Sequence, residues 1–188
     1  MTIPSRSGAT VSRRDFSVGA GAVALLFTAG MPAEGAQEQS LDERFDYLSK
    51  NGNSNCSAAF AGSIAGMPVT ARLRGSCCSE MDRKRYVSQV EGLKKYATIP
   101  EIPPDPYDIA AGTAQKAMSY YERPLTADQQ RAYQYAMDKS DEKGPCCCQC
   151  WRWTMYGGLA KLLITERHFT GEQVVEVWNL SNGCGGPS

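Results

Sequence analysis

Eight cysteines dominate the chemistry open to this 188-residue chain, and half of them fall in five residues, Cys146-Cys147-Cys148-Gln149-Cys150. The others are Cys56, the vicinal pair Cys77-Cys78, and Cys184. Adjacent residues have Cα atoms about 3.8 Å apart whereas disulfides favour roughly 4.4–6.8 Å, so neighbours in the cluster are poor partners for one another. An all-disulfide chain would have to send the four clustered thiols to the four outside, which makes a crowded knot. A metal has the opposite preference, because it needs several thiolates to converge on one point. The spacing therefore points to a thiolate metal site built from Cys146, Cys147, Cys148 and Cys150 and completed by some of Cys77, Cys78, Cys184 and Cys56.

Ligand chemistry narrows the metal. The chain has one histidine, His168, which sits just past a basic stretch and is expected to satisfy helix-terminal carbonyls. Imidazole-rich sites are thus excluded. Thiolates, with thioether help from Met81 or Met155, select Cu(I), Zn(II) or related soft ions such as Hg(II). An iron–sulfur cluster is less favoured because neither ferredoxin spacing is present, and there is no C-x-x-C-H haem attachment. Two other uses of the thiols stay open. Cys147-Cys148-Gln149-Cys150 is formally a C-x-x-C, which a thiol–disulfide redox enzyme would use, and four structural disulfides would make an interaction module. Phosphate loops, H-E-x-x-H, G-x-S-x-G, EF-hand loops and paired catalytic carboxylates are absent from the sequence, which favours a non-enzymatic role.

Twenty basic side chains against twenty acidic ones give no net charge, which argues against a polybasic nucleic-acid binder. Cysteine is about 4% of the chain, below the roughly 8–10% of a small disulfide scaffold, and a hydrophobic share of 42% fits a globular protein.

The elements that must carry the thiols read as helices. Ser40-Leu41-Asp42-Glu43 is a capping box, opening a helix with Leu41, Phe45 and Leu48 on one face and Gly52 beyond its end. A short apolar helix is expected from Cys56 to Ala65, then a loop over 68–76 with a brief extended piece at Val69–Leu73. Ser79 is read as the cap of a helix carrying Met81, Tyr86, Val90, Leu93 and Ala97. Residues 99–104, with three prolines, are expected to be a rigid extended connector. Asp105-Pro106-Tyr107-Asp108 reads as a helix start running to about Tyr121, with Asp105 and Asp108 as caps rather than acid/base catalysts. Thr126-Ala127-Asp128-Gln129 opens a helix to about Lys139 with Ala132, Tyr133, Ala136 and Met137 inward. A helix from about Cys147 to Arg167 would put Cys147 and Cys150 on one face and place the cluster at a helix start, where the macrodipole lowers thiol pKa values. Thr170-Gly171-Glu172-Gln173 caps a last helix through Trp178. Trp151, Trp153, Tyr156 and Trp178 are read as core, and Gly157-Gly158 as a point of close approach, with the Cys77-Cys78 loop as the suggested neighbour. The fold class is all-α, with six or seven helices in one domain.

The N-terminal Ser12-Arg13-Arg14-Asp15-Phe16 followed by the Val18–Gly30 apolar run resembles a twin-arginine (Tat) export signal. That run is well short of the roughly 20 residues a membrane span needs. A small-x-small site at Ala33-Glu34-Gly35 would divide the chain into a signal, residues 1–35, and a mature domain, residues 36–188, which keeps all eight cysteines. The resemblance implies a bacterial or archaeal protein, periplasmic or extracellular, with no membrane anchorage after cleavage, and it favours a metal loaded before export. The expected partners are a metal ion and a protein that exchanges metal or thiols. Gly144-Pro145-Cys146-Cys147-Cys148-Gln149-Cys150 looks locally like the Pro-Cys-Tyr-Cys-Gly-Cys signature of exported bacterial proteins of unknown function, with Cys147 in place of the aromatic and Gln149 in place of glycine. The C-x-x-x-C ladder of the four-helix copper-storage proteins is absent.

Overall fold

The computed structural model describes residues 40–186, so the twin-arginine-like segment and the expected cleavage site lie outside the described residues. Three of the helix starts carry the reciprocal cap their sequences specify. Ser40 with Glu43 opens α1 (Leu41–Lys50), Thr126 with Gln129 opens α5 (Ala127–Lys139), and Thr170 with Gln173 opens α7 (Gly171–Ser181). In each, the hydroxyl accepts the N–H three residues on, and the Glu or Gln side chain accepts from the cap's own N–H. The other helices are α2 (Ala58–Ser63), α3 (Arg83–Leu93), α4 (Ala111–Met118) and α6 (Trp151–Arg167).

The described residues are mostly helical, and they also hold a two-stranded antiparallel sheet that the all-α reading lacked. Strands β1 (Arg72–Arg74) and β2 (Asp108–Ala110) pair with Leu73 opposite Ile109. Asn53 braces this ribbon, its side-chain amide donating to the Arg72 carbonyl and its side-chain carbonyl accepting the Arg74 N–H. Asp105 and Asp108 are therefore ion-pair anchors rather than caps of one helix. Asp105 accepts from the Arg44 Nε at 2.8 Å, the Tyr86 hydroxyl at 3.0 Å and the Tyr107 N–H at 2.8 Å. Asp108 takes Arg44 at 2.9 Å and Arg72 at 2.7 Å. These bonds hold residues 105–107 in a turn, closed by the Asp108 N–H on the Asp105 carbonyl at 3.3 Å, that leads straight into β2, and the helix starts only at Ala111.

Two further boundaries move. The cap of α3 is Asp82, whose side chain accepts the Arg85 N–H, so Ser79 stays in the loop. The proline-rich stretch is turned rather than extended. The Ile102 N–H closes onto the Ile99 carbonyl at 3.1 Å, with Pro100 at the turn position its fixed φ suits.

Helix α6 is the centre of the core. Trp151, Met155, Tyr156, Leu159, Leu162 and Leu163 are all buried, and α6 packs on α4 and α5 while α7 lies against α3 and α5. The close approach at Gly158 is made by the end of α4, not by the Cys77-Cys78 loop. A Cβ there would strike the Ala117 carbonyl oxygen, which only glycine avoids. His168 ends α6 with a left-handed backbone, φ 56°, while the Phe169 N–H reaches the Leu163 carbonyl at 3.1 Å.

Candidate metal centre

Four segments deliver the eight sulfurs to one place. Cys56 precedes α2, whose Phe60 packs edge-on against Trp151 with ring centroids 6.1 Å apart. The Trp151 indole N–H donates to the Ser54 hydroxyl at 3.1 Å, which fixes the loop that carries Cys56. Cys77 and Cys78 follow β1. Cys184 is pinned after α7, where its carbonyl accepts the Ser79 N–H at 2.9 Å, its own N–H donates to the Asn182 side chain, and the Gly186 N–H reaches the Glu80 carbonyl. The tail is thus anchored, and Cys184 is only 4% exposed.

The fourth segment departs from the sequence reading. Helix α6 begins at Trp151, with Cys150 as its N-cap, so Cys146, Cys147 and Cys148 lie in consecutive bends before it. Cys147 and Cys150 do not share a helical face. A helix would rotate successive side chains by about 100° and scatter the sulfurs, whereas bends bring them toward a common point.

The sulfurs form a continuous cluster. Cys56, Cys78 and Cys148 make a triangle with Sγ···Sγ distances of 3.2, 3.6 and 3.7 Å. Cys77 and Cys147 each approach Cys78, at 3.7 and 4.0 Å, and Cys146 lies 2.8 Å from Cys184. Three groups have ligand atoms all within 4.8 Å of one another: Cys78, Cys147, Cys148 and Cys184; Cys56, Cys77 and Cys150; and Cys146, Cys148 and Cys150. Tetrahedral zinc with Zn–S bonds of about 2.3 Å separates its sulfurs by roughly 3.8 Å. Most of the closest spacings fall around that value, and the cluster can hold a metal ion. All eight side chains are free thiols.

Hydrogen bonding pulls two thiols below their ordinary pKa. Hydrogen bonds from the Cys146 and Cys77 thiols, with help from the Arg152 backbone N–H in the first turn of α6, hold Cys150 below the ordinary thiol range. Burial works against Cys78, but hydrogen bonds from Cys56, Cys148, Cys77 and Cys147 outweigh it and move that thiol down as well. Their donors move the other way. Cys77 is pushed up to about 11, chiefly by its bond to Cys150, and Cys148 up to about 12, chiefly by burial. The downward shift at Cys150 thus comes first from neighbouring thiols and only in part from the helix start.

One residue outside the sequence reading belongs to the site. Arg152, two residues beyond Cys150, is 0% exposed. Its Nη atoms donate to the Pro106 carbonyl at 2.6 Å and the Gly75 carbonyl at 2.9 Å, and its buried Nε has no partner. Among the described residues no carboxylate pairs with it. Burial opposes its charge, and Tyr156, Cys77, Cys146 and Cys184 more than offset that cost, so its pKa lies above the ordinary arginine value. A Cβ on Gly183 would come within 2.6 Å of the guanidinium carbon, so the glycine beside Cys184 lets the tail close over it. The sequence signal was an arginine in the first turn of an apolar helix, where a positive charge opposes the macrodipole.

Met81 lines an open cavity of about 550 Å³ together with Cys77, Cys78, Ser76, Ser79 and Glu80, whereas Met155 is buried in the core of α6. Trp151, Tyr156 and Trp178 are buried, and Trp153 is half-buried with its indole N–H on the Tyr121 hydroxyl at 3.0 Å. No helix among the described residues is long and apolar enough to cross a membrane. No family model matches this sequence, and comparisons with curated proteins and with solved structures return no significant match.

Proposed function

We propose that this is an exported soft-metal protein, carried by the twin-arginine route to the periplasm or beyond, which handles or sequesters Cu(I) or Zn(II) on cysteine thiolates. The observation that carries the reading is the convergence of sulfurs from four separate segments into mutual ligand distance. Nitrogen and oxygen ligands play no part in it, which fits an ion that prefers sulfur. Arg152 supports the same reading, because a buried cation without a carboxylate needs an anionic neighbour and a metal–thiolate centre supplies one. Loading before export agrees with the twin-arginine resemblance, and a thiol-bearing protein would then deliver or receive the metal.

A second reading rests on Cys146 and Cys184, whose sulfurs at 2.8 Å are the closest pair. They could alternate between dithiol and disulfide, in a thiol redox protein or a disulfide-built module. A thioredoxin-like enzyme would need a βαβ unit, and the only sheet among the described residues is a two-stranded antiparallel ribbon. Metal analysis of protein from the exported fraction, with thiols counted under non-reducing conditions, separates the readings. Bound metal with recoverable thiols is expected; four disulfides and no metal would overturn the proposal.

A further inference from the structure

The eight thiols differ in solvent access, and the difference follows position. Cys146, Cys150 and Cys184 are buried, Cys56, Cys78 and Cys147 are exposed, and Cys77 and Cys148 lie between. A tetrahedral ion takes four sulfurs, so eight exceed the needs of one. We propose, building on the metal-binding reading, that the cluster is a two-tier centre: an inner, retained ion on Cys146, Cys150, Cys184 and Cys77, and an outer, exchangeable ion on Cys56, Cys78, Cys147 and Cys148.

Three observations carry this. The triangle of Cys56, Cys78 and Cys148, with Cys147 4.0 Å from Cys78, is already close to one face of a tetrahedral thiolate site, and it is the solvent side of the cluster. The wholly buried Arg152 follows Cys150 by two residues and its guanidinium packs against Gly183 beside Cys184, so the buried charge lies on the side of the cluster that water does not reach. Cys148 falls within 4.8 Å of Cys146 and Cys150 as well as of Cys78, Cys147 and Cys184, and Cys56 and Cys77 both lie within that distance of Cys150, so the two tiers are adjacent and meet along a shared boundary. The cavity beside Cys77 and Cys78 opens the outer tier to an incoming soft ligand. There an arriving thiolate bonds to the outer ion as a protein sulfur–metal bond breaks. The electron pair stays on the departing sulfur, which takes a proton from water, and the metal keeps its oxidation state.

The test uses the mature chain loaded with Zn(II), counted by native mass spectrometry and challenged with a chromophoric zinc chelator. At least two ions are expected, leaving in two phases whose rates differ by tenfold or more. The Cys56→Ser/Cys78→Ser double variant should hold one ion fewer and lose only the fast phase. Loading wild type with ¹¹³Cd(II) gives an answer that needs no variant, since two separate four-sulfur sites give two distinct cadmium resonances of all-thiolate type. A single bound ion, release of all ions in one phase, or loss of the slow phase in the double variant would overturn the two tiers while leaving metal binding intact. A chain that binds neither Zn(II) nor Cu(I) would overturn the metal reading itself.

Discussion

Two arginines, Arg44 on α1 and Arg152 on α6, solve the problem of charge differently. Arg44 has a side chain 35% exposed, yet it is paired with both Asp105 and Asp108. Arg152 is wholly buried, and its only hydrogen-bond acceptors are two backbone carbonyls. The better-hydrated cation has carboxylates and the dehydrated one has none. An isolated ion taken out of water costs several kcal/mol even after relaxation, and around Arg152 that cost is met by two backbone carbonyls, the Trp151 ring 4.6 Å away and the sulfur cluster beside it. The metal–thiolate centre proposed above would give Arg152 an anionic partner that neutral thiols do not.

The largest expected effect comes from removing that cation. Arg152→Met keeps the length but strands the Gly75 and Pro106 carbonyls and leaves the inner thiolates uncompensated, a loss on the order of 3–5 kcal/mol. Denaturant unfolding of the metal-loaded protein measures it, and metal content should fall with it. Breaking the other environment should behave differently. Asp105→Asn removes the charge that Arg44 meets and weakens the acceptor for Tyr86 and Tyr107, with an expected loss of about 2–3 kcal/mol, while the bound-metal count stays at the wild-type value.

A control separates instability from loss of charge. Gly158→Ala forces a methyl group against the Ala117 carbonyl on the α4 side of α6, away from the thiols, and should cost about 1–2 kcal/mol. If it releases metal as readily as Arg152→Met, the charge argument fails. The smallest effect involves a third charged cluster. Burial tends to raise the Glu101 pKa, but hydrogen bonds from Arg167 and Lys116 outweigh it and hold the carboxyl below its ordinary value. Its contribution is therefore complete above the ordinary carboxylate pKa and fades as pH falls through the lowered one. With both cations partly solvated it amounts to about 0.5–1 kcal/mol, read as a weaker acid dependence of unfolding in Glu101→Gln than in wild type.

The sequence made the helices with reciprocal caps legible because Ser40–Glu43, Thr126–Gln129 and Thr170–Gln173 are local signals that tertiary contacts do not override. It misplaced the elements whose backbone is set at long range. Residues 105–110 have the composition of a helix start, but arginines from α1 and β1 hold them as a turn followed by strand β2. The clustered cysteines are not helical because four sulfurs that must meet cannot follow a helical rotation. From the clustered spacing, some of Cys56, Cys77, Cys78 and Cys184 were expected to complete the site; the structure brings all four to it. The division between buried and exposed sulfurs was not, since it depends on which side of α6 each loop crosses. Arg152 was passed over because a lone arginine in a helix carries no spacing signal; only its burial reveals the missing carboxylate.

X-ray absorption at the metal edge, on protein purified from the exported fraction without added metal, addresses the central claim directly. The account predicts a soft metal surrounded by sulfur alone, at about 2.3 Å if the ion is zinc. Coordination by nitrogen or oxygen, or a protein that carries no metal and no free thiols, would contradict it.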